Sequence, residues 1–137
     1  MVKTTLVNSR TGRLIASAVE MADTRARRRR GLLGRDRLDP CSALVLTPCF
    51  VIHTLSMRFA IDALFLDRDG IVLRMVTNLE PARIALARRA HSVVELAAGV
   101  LASRDVAVGD RLYFATGFAT EGGVIQMPLS SAAGAGA

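Results

Sequence analysis

The sequence predicts a single mainly β domain, a distorted sandwich or barrel with one short α-helix near residues 24–33. Three observations carry this. Short runs rich in Val, Ile, Leu and Thr recur along the chain, bounded by Gly, Pro, Asn or Asp. Asp69-Gly70, set between two apolar runs, is a strong hairpin signal. One segment alone combines a capping residue with a helical pattern. The 137 residues suit one domain, and 51% apolar against 22% charged residues supply enough apolar surface to offset the entropy of ordering, which excludes a disordered chain.

Residues 2–8 and 13–19 read as strands joined by Asn8-Ser9-Arg10-Thr11-Gly12, a turn composition. Asp23 or Thr24 caps a helix that runs to about Leu33, with Gly34 as its left-handed stop. Asp39-Pro40 turns the chain into a strand at 43–47, closed by Pro48. From Val51 to Ile61 the residues alternate. Val51, His53, Leu55, Met57, Phe59 and Ile61 share one parity, while Thr54, Ser56 and Arg58 take the other, which predicts one strand with an apolar and a polar face. The strand continues through 63–67. A two-residue loop at Asp69-Gly70 then places Leu66 opposite Leu73, Leu64 opposite Met75 and Asp62 opposite Thr77. Phe65 meets Arg74 and Ala63 meets Val76 on the other face. Glu80-Pro81 ends the hairpin, and residues 82–91, rich in Ala and Arg, read as a surface loop or frayed helical turn. Strands at 92–96, 111–115 and 123–126 and a helical turn at 99–104 complete the domain, which spans 1–127. Residues 128–137 are small and polar and read as a disordered tail.

The charge is localised. Against 18 basic and 12 acidic groups overall, Arg25, Arg27, Arg28, Arg29, Arg30, Arg35 and Arg37 face a single acid, Asp36, so the whole excess of +6 sits in segment 25–37. Such a segment can bind phosphate or an acidic surface. Five Phe, one Tyr and no Trp leave few stacking platforms for single-stranded nucleic acid, so a solvated helix face is the plainer reading. No apolar run approaches the ~18 residues of a membrane span, and the start, Met1-Val2-Lys3-Thr4-Thr5-Leu6, has no export-signal core, so a cytoplasmic location is expected.

Cys41 and Cys49 flank an apolar strand. Eight extended steps cover about 26 Å, and disulfide-bonded Cα atoms sit within ~7 Å, so the two are not expected to bond to each other. Two small buried apolar side chains are expected, with a reactive Cys49 beside His53 as the sharper alternative. Two Cys and two His match no zinc spacing, and no metal or cofactor is expected.

His53, Thr54, Arg58 and Asp62 cluster within ten residues. Asp62 ends a core-facing row, and a buried carboxylate must be held by donors, titrate or border a cavity. With a bend near Ala60, Arg58 and Asp62 converge. Arg58 then forks onto a carboxylate or phosphate, Asp62 accepts hydroxyls, and His53 donates or accepts. Arg30 beside Gly31 places another guanidinium next to a small residue. Glu95 opposes the parity of Val94 and Leu96, which predicts solvent exposure, although a pairing with Asp62 for acid/base chemistry stays open. No nucleophile elbow or phosphate loop is present.

Arg30-Gly31-Leu32-Leu33-Gly34-Arg35, Cys49 to Thr54, Met57-Arg58-Phe59-Ala60-Ile61-Asp62, Phe65-Leu66-Asp67, Glu95-Leu96, Gly99 and Val108-Gly109-Asp110 together resemble the bacterial and archaeal family called domain of unknown function 192. The resemblance covers about Val2 to Phe114. It implies a small single-domain β-rich fold of distorted sandwich or barrel type, and no settled activity. The functional expectation is a binding module for a small anionic or polyhydroxy ligand, with its site near Asp62, Arg58 and His53. The alternatives are an interaction protein using 25–37 on nucleic acid or an acidic partner, and a hydrolase or lyase using Asp62 and Glu95.

Overall fold

The structure, a computed structural model, describes residues 2–120 and 123–128. The tail expected over 128–137 therefore lies, beyond Pro128, outside the described residues. The chain runs β1 (Val2–Asn8), β2 (Leu14–Ala16), β3 (Ala18–Ala22), α1 (Arg25–Arg30), β4 (Ser42–Leu46), β5 (Val51–His53) and β6 (Ile61–Leu66). It continues through β7 (Val72–Leu79), β8 (Ile84–Leu86), β9 (Ser92–Ala97), α2 (Val100–Ser103), β10 (Leu112–Thr120) and β11 (Gly123–Pro128). The strands form three sheets, in the orders β11-β10-β1-β2, β3-β4-β9-β6-β7 and β5-β8. This is a distorted sandwich, and the five-stranded sheet is its middle layer.

The middle position follows from composition. In β6 every residue from Ile61 to Leu66 is buried, and β4 and β9 are buried almost throughout. Runs of this kind belong to strands covered on both faces. Leu64, Leu66, Val94 and Leu96 pack on one side against Leu6, Ile15 and Leu112 of the four-stranded sheet and Leu101 of α2. Ile61, Ala63, Phe65 and Val93 pack on the other side against Leu32 and Leu38 after α1 and Ile52 and Ala85 of the β5–β8 ribbon. In that ribbon Ile52 faces Ala85 inward, while Val51, Ile84 and Leu86 are exposed.

Several expectations need correction. The strand expected over 51–61 stops at His53, because Thr54 takes the chain into a turn. Its hydroxyl donates to the Glu80 carbonyl at 2.6 Å and accepts from the Arg83 amide at 2.9 Å, and its carbonyl accepts from the Met57 and Ala82 amides. Residues 82–91 hold a strand, β8, whose ladder with β5 absorbs its backbone groups. The run 13–19 divides at Ser17, and β3 joins the middle sheet in parallel with β4. The helix is shorter than expected, because Gly31, at φ 47°, closes it before Gly34 is reached.

The β6–β7 pairs Leu64–Met75, Phe65–Arg74 and Ala63–Val76 match the expected register, but Leu66 meets Val72 and Ile61 meets Leu79 through bulges at both ends. The turn is wider than two residues, since Asp67 Oδ1 accepts from the amides of Asp69 and Ile71, each at 2.9 Å. Gly70 is demanded here. It sits at φ 82°, a Cβ would strike the Leu112 carbonyl, and its own carbonyl accepts from the Leu112 amide at 2.8 Å, which joins the hairpin tip to β10.

Candidate functional site

The residues expected to share a site are distributed over different parts of the molecule. Asp62 is fully buried and entirely engaged by backbone. Its Oδ1 accepts from the Asn78 amide at 2.8 Å, and its Oδ2 from the amides of Gly99 and Leu101 at 3.0 and 3.1 Å. It thus caps the first turn of α2 from a neighbouring strand and holds Asn78 at φ 51° where β6 and β7 shift register. It lines none of the principal clefts. Arg58 points to solvent and pairs with Asp36, and Thr54 is consumed by its turn. The expected convergence of Arg58, Thr54 and His53 on Asp62 does not occur.

The expected Asp62–Glu95 pair fails for a topological reason. Asp62 stands opposite Leu96 on β9, and Ala63 stands opposite Glu95. Side chains directly opposite in a ladder share a face, so Asp62 and Glu95 project to opposite faces of the middle sheet. They cannot act on one substrate.

A cleft of about 580 Å³ lies on the Glu95 face. Arg28, Arg29, Arg30 and Gly31 form one wall, and Leu32, Leu46, Ile52 and Met57 give an apolar floor. Phe50, Val51 and His53 stand at the ribbon side, and Cys49, His91 and Glu95 complete the lining. Of the six expected site residues, His53, Arg30 and Glu95 line this cleft, and Thr54, Arg58 and Asp62 do not.

The wall is a short helix with no buried residue. Thr24 Oγ1 accepts from the Arg27 amide at 3.1 Å and starts it. The last turn carries Arg27 to Arg30, where cations meet the negative end of the helix. Arg28 is tied down by donating to the Asp23 and Thr47 carbonyls at 3.0 and 3.2 Å. Arg29 and Arg30 are exposed and make no ion pair among the described residues.

Glu95 corrects the expectation most sharply. It is only 4% exposed, between Leu44 on β4 and Ala63 on β6, because the face expected to meet water is covered by the loop after α1 and by the ribbon. Its Oε2 is buried and has no hydrogen-bond partner among the described residues. Burial raises the carboxyl to about 7, against the pull of the Arg35 charge. Cys49 is half-buried and donates its thiol to the Val51 carbonyl at 3.1 Å. Burial pushes that thiol up, and the Glu95 charge pushes it further, so the thiolate of the reactive reading is disfavoured. Both cysteines are free, and Cys41 is exposed at the start of its strand where burial was expected. Among the described residues no three His, Cys, Asp or Glu side chains group as metal ligands would, and no helix is long and apolar enough to cross a membrane.

His91 and the floor residues Leu32, Leu46, Ile52 and Met57 were not foreseen as site residues. Apolar side chains in a cleft read, in sequence, like core. For His91 the available signal is its place one residue before a strand whose Glu95 faces the same side.

The family model DUF192, described as "Uncharacterized ACR", matches residues 6–114. A crystal structure of a candidate transcription regulator from Sinorhizobium meliloti is similar, at 25% identity and TM-score 0.70 over 82% of this chain and 92% of that one. A protein of unknown function from Novosphingobium aromaticivorans shares the fold, at 20% identity and TM-score 0.68 over 80% of this chain and 81% of that one. No curated protein matches the sequence.

Proposed function

The chain belongs to the uncharacterised DUF192 family, and we propose that it is a binding module for a small anionic ligand, held in the cleft between the arginine wall and the β5–β8 ribbon. One observation carries this reading: Arg29 and Arg30, which make no ion pair among the described residues, line the same cleft as an apolar floor. Guanidinium groups fork onto carboxylate or phosphate, and the floor takes an apolar body. The centre of the site is thus the Arg30–His53–Glu95 side of the middle sheet, not Asp62. Among the described lining residues Phe50 is the single Phe, Tyr or Trp, which disfavours sugar stacking as the main source of affinity.

A thermal-shift panel of short carboxylates, alkyl phosphates and sugars tests it. At a ligand concentration of about 100 Kd, stabilisation of about 2.7 kcal/mol is expected for the anions. The Arg29→Ala/Arg30→Ala double variant keeps its unliganded Tm, since both side chains are exposed, and loses the shift. A panel in which no anion moves the wild-type Tm, or in which the double variant responds fully, refutes the reading.

A second reading has its own observation. Arg25, Arg27, Arg29 and Arg30 are all exposed on α1, and the Sinorhizobium neighbour carries a description in transcription. Nucleic-acid binding through four phosphates lowers affinity roughly a hundredfold between about 50 and 200 mM salt. Absence of binding at the lower salt removes this reading.

A further inference from the structure

The cleft holds one feature that an anion site does not require. Glu95 lines it, and its Oε2 is buried with no hydrogen-bond partner among the described residues. Among the described residues no side chain donates to it, and the His53 and His91 imidazoles line the same cleft without bonding it. The Cys49 thiol serves the Val51 carbonyl, Arg28 serves the Asp23 and Thr47 carbonyls, and Arg35 forks onto Glu20 at 3.1 and 2.9 Å. A buried acceptor left alone is costly, and a ligand that supplies the missing donor relieves that cost on binding.

We infer that the ligand is a hydroxylated anion whose charged end lies on Arg29 and Arg30 and whose hydroxyl, separated from that end by an apolar stretch, meets Glu95. This rests on the cleft being the binding site. An ammonium donor fits less well, because it would be desolvated on an apolar floor beside three guanidinium groups and close to a fourth, Arg35. A hydroxyl adds no charge. It can donate to the carboxylate, and it can also accept from the acid, so it satisfies Glu95 in either protonation state. The floor residues Leu46, Ile52 and Met57 of the same cleft take the apolar stretch.

The test is a calorimetric titration of the whole chain with hexanoate, hexyl phosphate and the terminally hydroxylated counterpart of each. The carboxylate and phosphate arms distinguish which anion the wall prefers. In the wild type the hydroxylated member of a pair binds about tenfold tighter or more, the fold-change expected of a hydrogen bond to a carboxyl group. Glu95→Met removes the preference, so that the plain and hydroxylated members of each pair bind it with equal affinity, whatever that affinity is. Glu95→Gln, which keeps an acceptor oxygen, retains the preference within about threefold. Equal affinity for plain and hydroxylated members in the wild type, or a preference that survives Glu95→Met, overturns the inference while the cleft assignment stands. Failure of all four compounds to bind overturns both.

Discussion

Replacing Glu95 with methionine is expected to stabilise the protein, and the gain over wild type is expected to grow by about 3 kcal/mol between about pH 4 and pH 8. The sign follows from the direction of the shift. The folded-state carboxyl titrates at about 7, above its ordinary value of 4.5, because it is buried on the inner face of β9. Between those two values the folded chain holds a proton that the unfolded chain has released. Wild-type stability therefore falls as pH rises from the ordinary carboxylate range through 7, and is flat above. Methionine fills a similar volume and has nothing to ionise, so its curve lacks this fall. Urea denaturation at a series of pH values reads the effect. Parallel curves for the two proteins would show that Glu95 ionises at no cost and is not sealed in.

Asp62→Ala is expected to have the opposite effect and a larger one, a loss of about 4 kcal/mol. Three backbone amides lose their acceptor, that of Leu101 in a buried bond and those of Asn78 and Gly99 in part-buried ones, and a buried donor left alone costs roughly 1–3 kcal/mol. Asp62→Asn is the informative partner. One oxygen can still serve Asn78, but the amide nitrogen then faces the amides of Gly99 and Leu101, donor against donor, so this variant also loses about 2 kcal/mol or more. Against a total stability of about 5–15 kcal/mol, either change moves the denaturation midpoint well outside error. An Asp62→Asn midpoint equal to wild type would mean that the carboxylate does not hold the start of α2.

These two acids also show how far the residues could be read without coordinates. The hairpin register through Leu64, Phe65 and Ala63 was legible, because Asp69-Gly70 fixes a turn and local pairing follows. That Asp62 faces inward was legible for the same reason. Its role was not, since two of its donors come from Gly99 and Leu101, which only the fold brings to β6. Glu95 was misread because parity assumes that one face of a strand meets water, and β9 has no wet face. β8 was missed because Ile84-Ala85-Leu86 is three residues long in an Arg-rich stretch, and its partner lies some thirty residues earlier. Arg30 was legible as a charge beside a glycine, but its relation to Glu95 depends on a helix too short to announce where its arginines point. The fold class and the family, by contrast, rest on patterns spread over the whole chain and survive local errors of this kind.

The middle sheet with a cover on each side has a consequence for how such a molecule can diversify. The bottom of the cleft is made of Leu32, Leu46, Ile52 and Met57, which belong to the apolar cluster packed on that face of the middle sheet, so a change of volume there disturbs the core. The side of the cleft is a six-residue helix that buries nothing of its own. Selection or an engineer can therefore rewrite the charges on that helix at almost no thermodynamic penalty, leaving the skeleton as it is.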